Sequence, residues 1–144
     1  MPLRTSLLAG CCAFAIAGCG SGSSSEVIAS RESAQKAYDQ AMGAMEQKNY
    51  PVAKPLFDQA IDSGYLYLDL LTSAYINRAV CSAAAGEFAA AHADLDAMKD
   101  APVSGDKLLA ARSFVLEKQG KSREARAAWS QARRINRFVQ KYGE

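Results

Sequence analysis

The sequence predicts an all-α protein, an α-solenoid of three antiparallel helix pairs closed by a C-terminal capping extension. Two observations carry this. One segment pattern returns three times, opening at Lys48, Gly86 and Gly120, with Ala53, Ala91 and Ala125 in a shared slot. Phe57, Leu95 and Trp129 follow four residues later, and Ala60, Met98 and Ala132 three later again. The first slots lie 38 and 34 residues apart, and a helix–turn–helix pattern recurring near 34 residues marks stacked helix pairs. The second observation is compositional. With 49% hydrophobic and 22% charged residues, the chain has the makeup of a globular domain rather than a disordered one.

Taken in order, the elements justify themselves locally. Ser30 is a plausible N-cap for a first helix over residues 30–47, whose Ala37, Ala41, Ala44 and Met45 recur at helical spacing. Residues 49–51 form the turn, and Pro51 suits the first turn of the second helix, where its missing donor would be unpaired anyway. Pro55 denies a hydrogen bond to the carbonyl of residue 51 and bends that helix slightly. Ser63 and Gly64 end it. A longer third helix over 68–85 absorbs the four extra residues of the 38-residue offset. Gly86 and Glu87 turn the chain into a helix over 88–99. Residues 101–105 are a breaker, with Ser104 or Asp106 capping a helix over 106–119. Gly120 turns into a last helix over 122–140, whose Ile135, Phe138, Val139 and Tyr142 cap the exposed end or form a homodimer contact.

The N-terminus stands apart from this domain. Residues 1–18 carry one basic residue, Arg4, then an uncharged apolar run from Leu7 to Gly18. That run is shorter than the roughly 20 residues a membrane span needs and suits a secretory signal. It ends at Ile16, Ala17, Gly18 and Cys19. This tetrapeptide resembles the lipobox of bacterial lipoproteins, in which the cysteine thiol takes a diacylglyceryl group and the preceding peptide is cleaved. Small residues before the cysteine admit the backbone to a peptidase cleft. Leu8, Ala9, Gly10 and Cys11 form a second candidate, but would leave a signal core below the usual 7 residues. Cys19 is therefore the expected lipidation site, with a soluble secreted product as the bland alternative. Residues 19–29 read as a flexible Gly/Ser tether, and 30–144 as the helical domain. Several acyl chains on one residue give stable anchoring. Gly20 after the cysteine resembles lipoproteins sent to the outer membrane, so the expected location is exported, lipid-anchored and facing the periplasm. After cleavage only Cys81 remains unmodified, which excludes an intramolecular disulfide.

The repeated segments resemble tetratricopeptide repeats, at about residues 34–65, 72–103 and 106–138. The family's small residue at the crossing of each pair falls at Ala41, Ala79 and Ser113, and its wedging large residues at Tyr50, Phe88, Phe57, Leu95 and Trp129. Small side chains there let two helices approach to about 8–10 Å. Gln40, Arg78 and Arg112 stand where the family prefers Leu. Lys48 replaces the turn Gly of the first repeat, and Ser122 the turn aromatic of the third. The resemblance implies a right-handed solenoid whose first helices line a concave groove. Carried over, the groove residues are Tyr38, Met42, Met45, Ile76, Asn77, Val80, Lys107 and Phe114, with Gln35, Asp39, Glu46, Ser73, Ala84, Ala110, Ala111 and Lys118 around them. One sub-family grips chaperone tails with Lys, Asn and Arg residues. Only Asn77 and Lys107 match that set, while Tyr38, Met42 and Ala111 do not, so that specificity is not expected.

Catalysis finds little support. His92 is the only histidine, and no Cys-x-x-Cys, P-loop or Gly-x-Ser-x-Gly motif occurs. Asp94/Asp96 and Asp58/Asp62 are spaced like solvated helix faces. No metal and no cofactor beyond the lipid on Cys19 is expected. Residues 19–105 carry a net −5 and residues 106–144 a net +6. The C-terminal cations, Arg123, Arg126, Arg133, Arg134, Arg137 and Lys141, suit anionic lipid headgroups, glycan-attached acids or an acidic partner, or simply a solvated helix. An exported protein is not expected to bind nucleic acid. The functional expectation is an envelope adaptor that holds a protein partner, with a self-associating structural lipoprotein as the alternative.

Overall fold

A computed structural model describes residues 24–101 and 105–144. The described residues form six helices and no strand: α1 (Ser24–Glu46), α2 (Tyr50–Asp62), α3 (Leu68–Ala84), α4 (Phe88–Ala97), α5 (Gly105–Lys118) and α6 (Ser122–Ile135). Cys19 and the leader lie outside the described residues, as does Ser104. No described helix is long and apolar enough to cross a membrane.

Three boundaries differ from expectation by more than one residue. α1 opens at Ser24 rather than at Ser30, so the second half of the expected tether is helical. α4 ends at Ala97, two residues early. The larger correction is at the C-terminus. α6 stops at Ile135 instead of running to 140, because Asn136 turns extended (φ −138°, ψ 107°) and its amide donates to the Asp106 carboxylate on α5 at 2.7 Å. The Asn136 Oδ1 then accepts the Phe138 N–H at 3.0 Å, which holds the chain in a side-chain-closed turn.

The three intra-pair turns are built alike. Lys48, Gly86 and Gly120 all adopt left-handed backbone, with φ of 55°, 82° and 77°. The next amides, of Asn49, Glu87 and Lys121, donate five residues back to Ala44, Ser82 and Leu116 at 2.8–2.9 Å. These are the bonds that close helix C-termini when one residue is left-handed. The carbonyls of Asn49, Glu87 and Lys121 then accept from Ala53, Ala91 and Ala125, which starts the second helix of each pair. The repeated slot residues are therefore fixed by the turn geometry itself. Ala53 and Ala91 are fully buried and Ala125 nearly so; Ala53 shares a core cluster with Ala41 and Ala91 one with Ala79. In the third pair Ser113 Oγ donates to the Ala125 carbonyl at 2.8 Å.

Each helix packs on its neighbour in sequence. The first helices of the pairs also meet, α1 with α3 and α3 with α5. One core cluster centres on Phe57 with Tyr38, Ala41, Ala53 and Cys81, and a second on Leu95 with Val80, Ala91, Phe114 and Val115. Burying each large side chain contributes about 1.5–3 kcal/mol. α3 belongs to both clusters and is the central element.

Candidate functional site

Because α1 meets α3 and α3 meets α5, one edge of each helix contributes to a shared face, on which Ile76, Asn77 and Asp106 are themselves buried. That face borders a cavity of about 650 Å³, lined by Met42, Met45 and Glu46 of α1, Ser73, Ile76 and Asn77 of α3, and Asp106 and Lys107 of α5. Five of the eight expected groove residues are thus brought together: Met42, Met45, Ile76, Asn77 and Lys107. The other three stand elsewhere. Val80 has 0% exposure and belongs to the core. Tyr38 is buried edge-on against Phe57, centroids 6.0 Å apart, and its hydroxyl donates to Ser73 Oγ at 2.8 Å. Phe114 is buried between Tyr50 and Tyr142. Ala84 opens to a different cavity of about 570 Å³ on the α2–α3 side, bordered by Tyr50, Lys54, Cys81 and Glu87.

The far wall of the main cavity is the chain's own C-terminal segment, residues 138–144. Tyr142 comes back across the fold, and its hydroxyl donates to Asn77 Oδ1 at 3.2 Å. Its ring meets Phe114 edge-on at 6.4 Å. Lys48 Nζ donates to the Gly143 carbonyl at 3.3 Å, and Lys141 pairs with Glu117 at 3.6 Å and Glu144 at 2.9 Å. Of the residues expected to cap the end or form a dimer contact, Tyr142 is partly buried against the second core cluster, whereas Phe138 is 77% exposed. Burial, reinforced by the neighbouring Tyr38, Asp106 and Cys81, pushes the Tyr142 phenol up to about 12. Asn77 is well used, since its amide also donates to Met42 Sδ at 3.4 Å and Ser73 Oγ at 3.3 Å.

Sequence reasoning missed Lys48, Tyr50, Asp106 and Asn136 as members of this site. Asn136 carried the one local signal, since Asn favours turns and disfavours a helix interior.

The arrangement holds a charged clasp away from the cavity. Arg78 Nε and Nη2 donate to Asp94 at 2.8 and 2.6 Å, its Nη1 donates to Asp58 at 3.0 Å, and its guanidinium lies 5.0 Å from the Tyr75 ring centroid. These carboxylates raise the Arg78 pKa further. His92 Nε2 stands 3.0 Å from Gln119 Nε2, tying α4 to the end of α5. Burial raises the Cys81 thiol to about 12, and its sulfur contacts Met45 Sδ at 3.3 Å. Among the described residues no cluster of three metal-ligating side chains occurs. On α6, Arg123, Arg126, Arg133 and Arg134 are exposed, and helical spacing sets them along one stripe.

Compared with protein-family models, curated proteins and solved structures, the chain matches none.

Proposed function

We propose that this chain is a lipid-anchored adaptor of the bacterial cell envelope, which holds a segment of a protein partner on the shared face of α1, α3 and α5. In this reading the three helix pairs are tetratricopeptide-like repeats stacked as a right-handed solenoid, anchored through Cys19 and set off from the membrane by the residues before α1. The observation that carries it is the cavity of about 650 Å³ in which three helices, distant in sequence, converge apolar Met42, Met45 and Ile76 with polar Asn77 and Lys107. An apolar floor with a few convergent polar groups is the usual make of a binding site. The identical turns at Lys48, Gly86 and Gly120 support the repeat reading. Capture from crosslinked envelope tests the function: a partner retained by the wild type and lost with Met42→Glu supports it. Labelling with a radioactive fatty acid tests the anchor, which label surviving Cys19→Ser would refute.

The alternative is a structural lipoprotein that self-associates. It is favoured by Ile135 and Phe138, which are 62% and 77% exposed at one end of the fold. It predicts a concentration-dependent dimer abolished by Phe138→Glu.

A further inference from the structure

Resting on that reading, we infer that residues 136–144 are an internal ligand of the binding face. The partner segment must then carry an aromatic side chain that replaces Tyr142 between Phe114 and Asn77. The tail meets the face as a non-helical segment, with turns at residues 137–138 and 142–143, and one aromatic residue anchors it. That residue has the two features a docking anchor needs. Its ring packs on Phe114 at 6.4 Å and its hydroxyl is satisfied by Asn77 at 3.2 Å.

The hold is slight. Beyond Tyr142 the tail is fastened by Lys48 to the Gly143 carbonyl, by Lys141 to Glu117, and by the Asn136–Asp106 bond at its root. A cavity of about 650 Å³ remains between it and the helices, so the tail covers the floor without filling it. A segment that makes the Tyr142 contacts and also fills that space over Met42 and Ile76 gains contacts the tail lacks. An occupant that closes a site most of the time weakens an incoming ligand by the fraction of molecules left open. The tail therefore sets a threshold for the partner, and it defines the chemistry the partner has to offer.

The test uses the full chain and a fluorescent synthetic peptide reproducing residues 136–144. Removing the internal anchor with Tyr142→Ala is expected to tighten peptide binding about tenfold over wild type. Tyr142→Phe, which keeps the ring, gives a smaller gain. Adding Asn77→Ala to Tyr142→Ala is expected to reverse most of it, since the peptide's own tyrosine loses its acceptor. Thermal melts confirm that the variants remain folded, and Tyr142→Phe keeps the test informative if the alanine variant does not. Equal binding by wild type and both Tyr142 variants overturns the inference. So does no binding by any of them, or a gain indifferent to Asn77→Ala. A wild-type dimer that Tyr142→Ala dissolves would place the tail in a second copy and overturn the intramolecular assignment. Failure of the adaptor reading looks different: the peptide gain persists while no envelope partner is captured by wild type or variant.

Discussion

Arg78 on α3 grips Asp94 on α4 through two parallel hydrogen bonds, 2.8 and 2.6 Å long, and extends its remaining arm 3.0 Å to Asp58 on α2. A simpler pair with a single bond joins α5 to α4. Arg112 on α5 reaches Asp96 on α4 at 2.8 Å. Asp58 and Asp96 each directly follow the large residue of the repeat, Phe57 and Leu95. Each arginine thus ties its helix to the preceding pair.

The two ties differ in worth because they differ in exposure. Asp94 is buried, so losing Arg78 leaves a buried carboxylate without its two charge-assisted hydrogen bonds. Arg78→Met is expected to cost about 2–3 kcal/mol in urea unfolding, the scale of charge-assisted hydrogen bonds lost from a buried acceptor. The Arg112–Asp96 pair is more exposed, with side chains 37% and 64% open to solvent, and Arg112→Met should cost under about 1 kcal/mol. Equal costs would contradict this assignment.

Lys48 is the only described non-glycine residue with positive φ, at 55°. Glycine removes the roughly 1–2 kcal/mol penalty of a left-handed side-chain-bearing residue, while adding about 0.5–1 kcal/mol of backbone entropy. Lys48→Gly should therefore raise unfolding stability by a few tenths to about 1 kcal/mol. The lost contact to Gly143 works against it, so tail docking should weaken even as the fold gains. Proton NMR of the Tyr142 ring, followed beside a melt, separates the two effects.

The Tyr142 phenol is raised to about 12, against an ordinary value near 10. The folded state therefore binds this proton more tightly than the unfolded one. The contribution is fully present below pH 10 and falls as pH climbs from about 10 to 12. Ultraviolet difference titration should show Tyr142 ionising late in the wild type, beside Tyr50, whose phenol burial also raises. In Tyr142→Phe the late absorbance change should shrink by one tyrosine.

Cys81 is buried, and its thiol is likewise raised to about 12. Since the thiolate is the reactive form, a chain retaining only this cysteine should resist a thiol reagent at pH 8. Labelling should advance only at the rate of opening and accelerate with denaturant. Fast labelling without denaturant would show that α3 is not the buried centre of the fold.

Much of the helical plan was legible because its signals are local. Gly86 and Gly120 announce left-handed turns, Pro51 announces a helix start, and the Ala–Phe/Leu/Trp–Ala slots recur in register. The return of the C-terminal tail was not legible. Ile135, Phe138, Val139 and Tyr142 fall at helical spacing, so the pattern reads as a longer α6. The chain is instead broken by the Asn136–Asp106 bond between residues 30 apart, and periodicity does not report such a pairing. For the same reason Arg78 and Arg112 read as lapses from an apolar consensus, since the acids facing them belong to neighbouring helices. Val80 was assigned to the groove by repeat position, but α3 packs against neighbours on several sides and leaves that face no solvent.

The central claim is that the shared face of α1, α3 and α5 holds a protein segment. Its most direct measurement is quantitative capture from crosslinked envelope by wild type, Met42→Glu and Lys107→Glu, with each variant shown folded by its melt. The account predicts a partner retained by wild type and lost from both variants, with capture by Tyr142→Ala above wild type. A partner held equally by all four proteins would place binding on another surface and contradict the account.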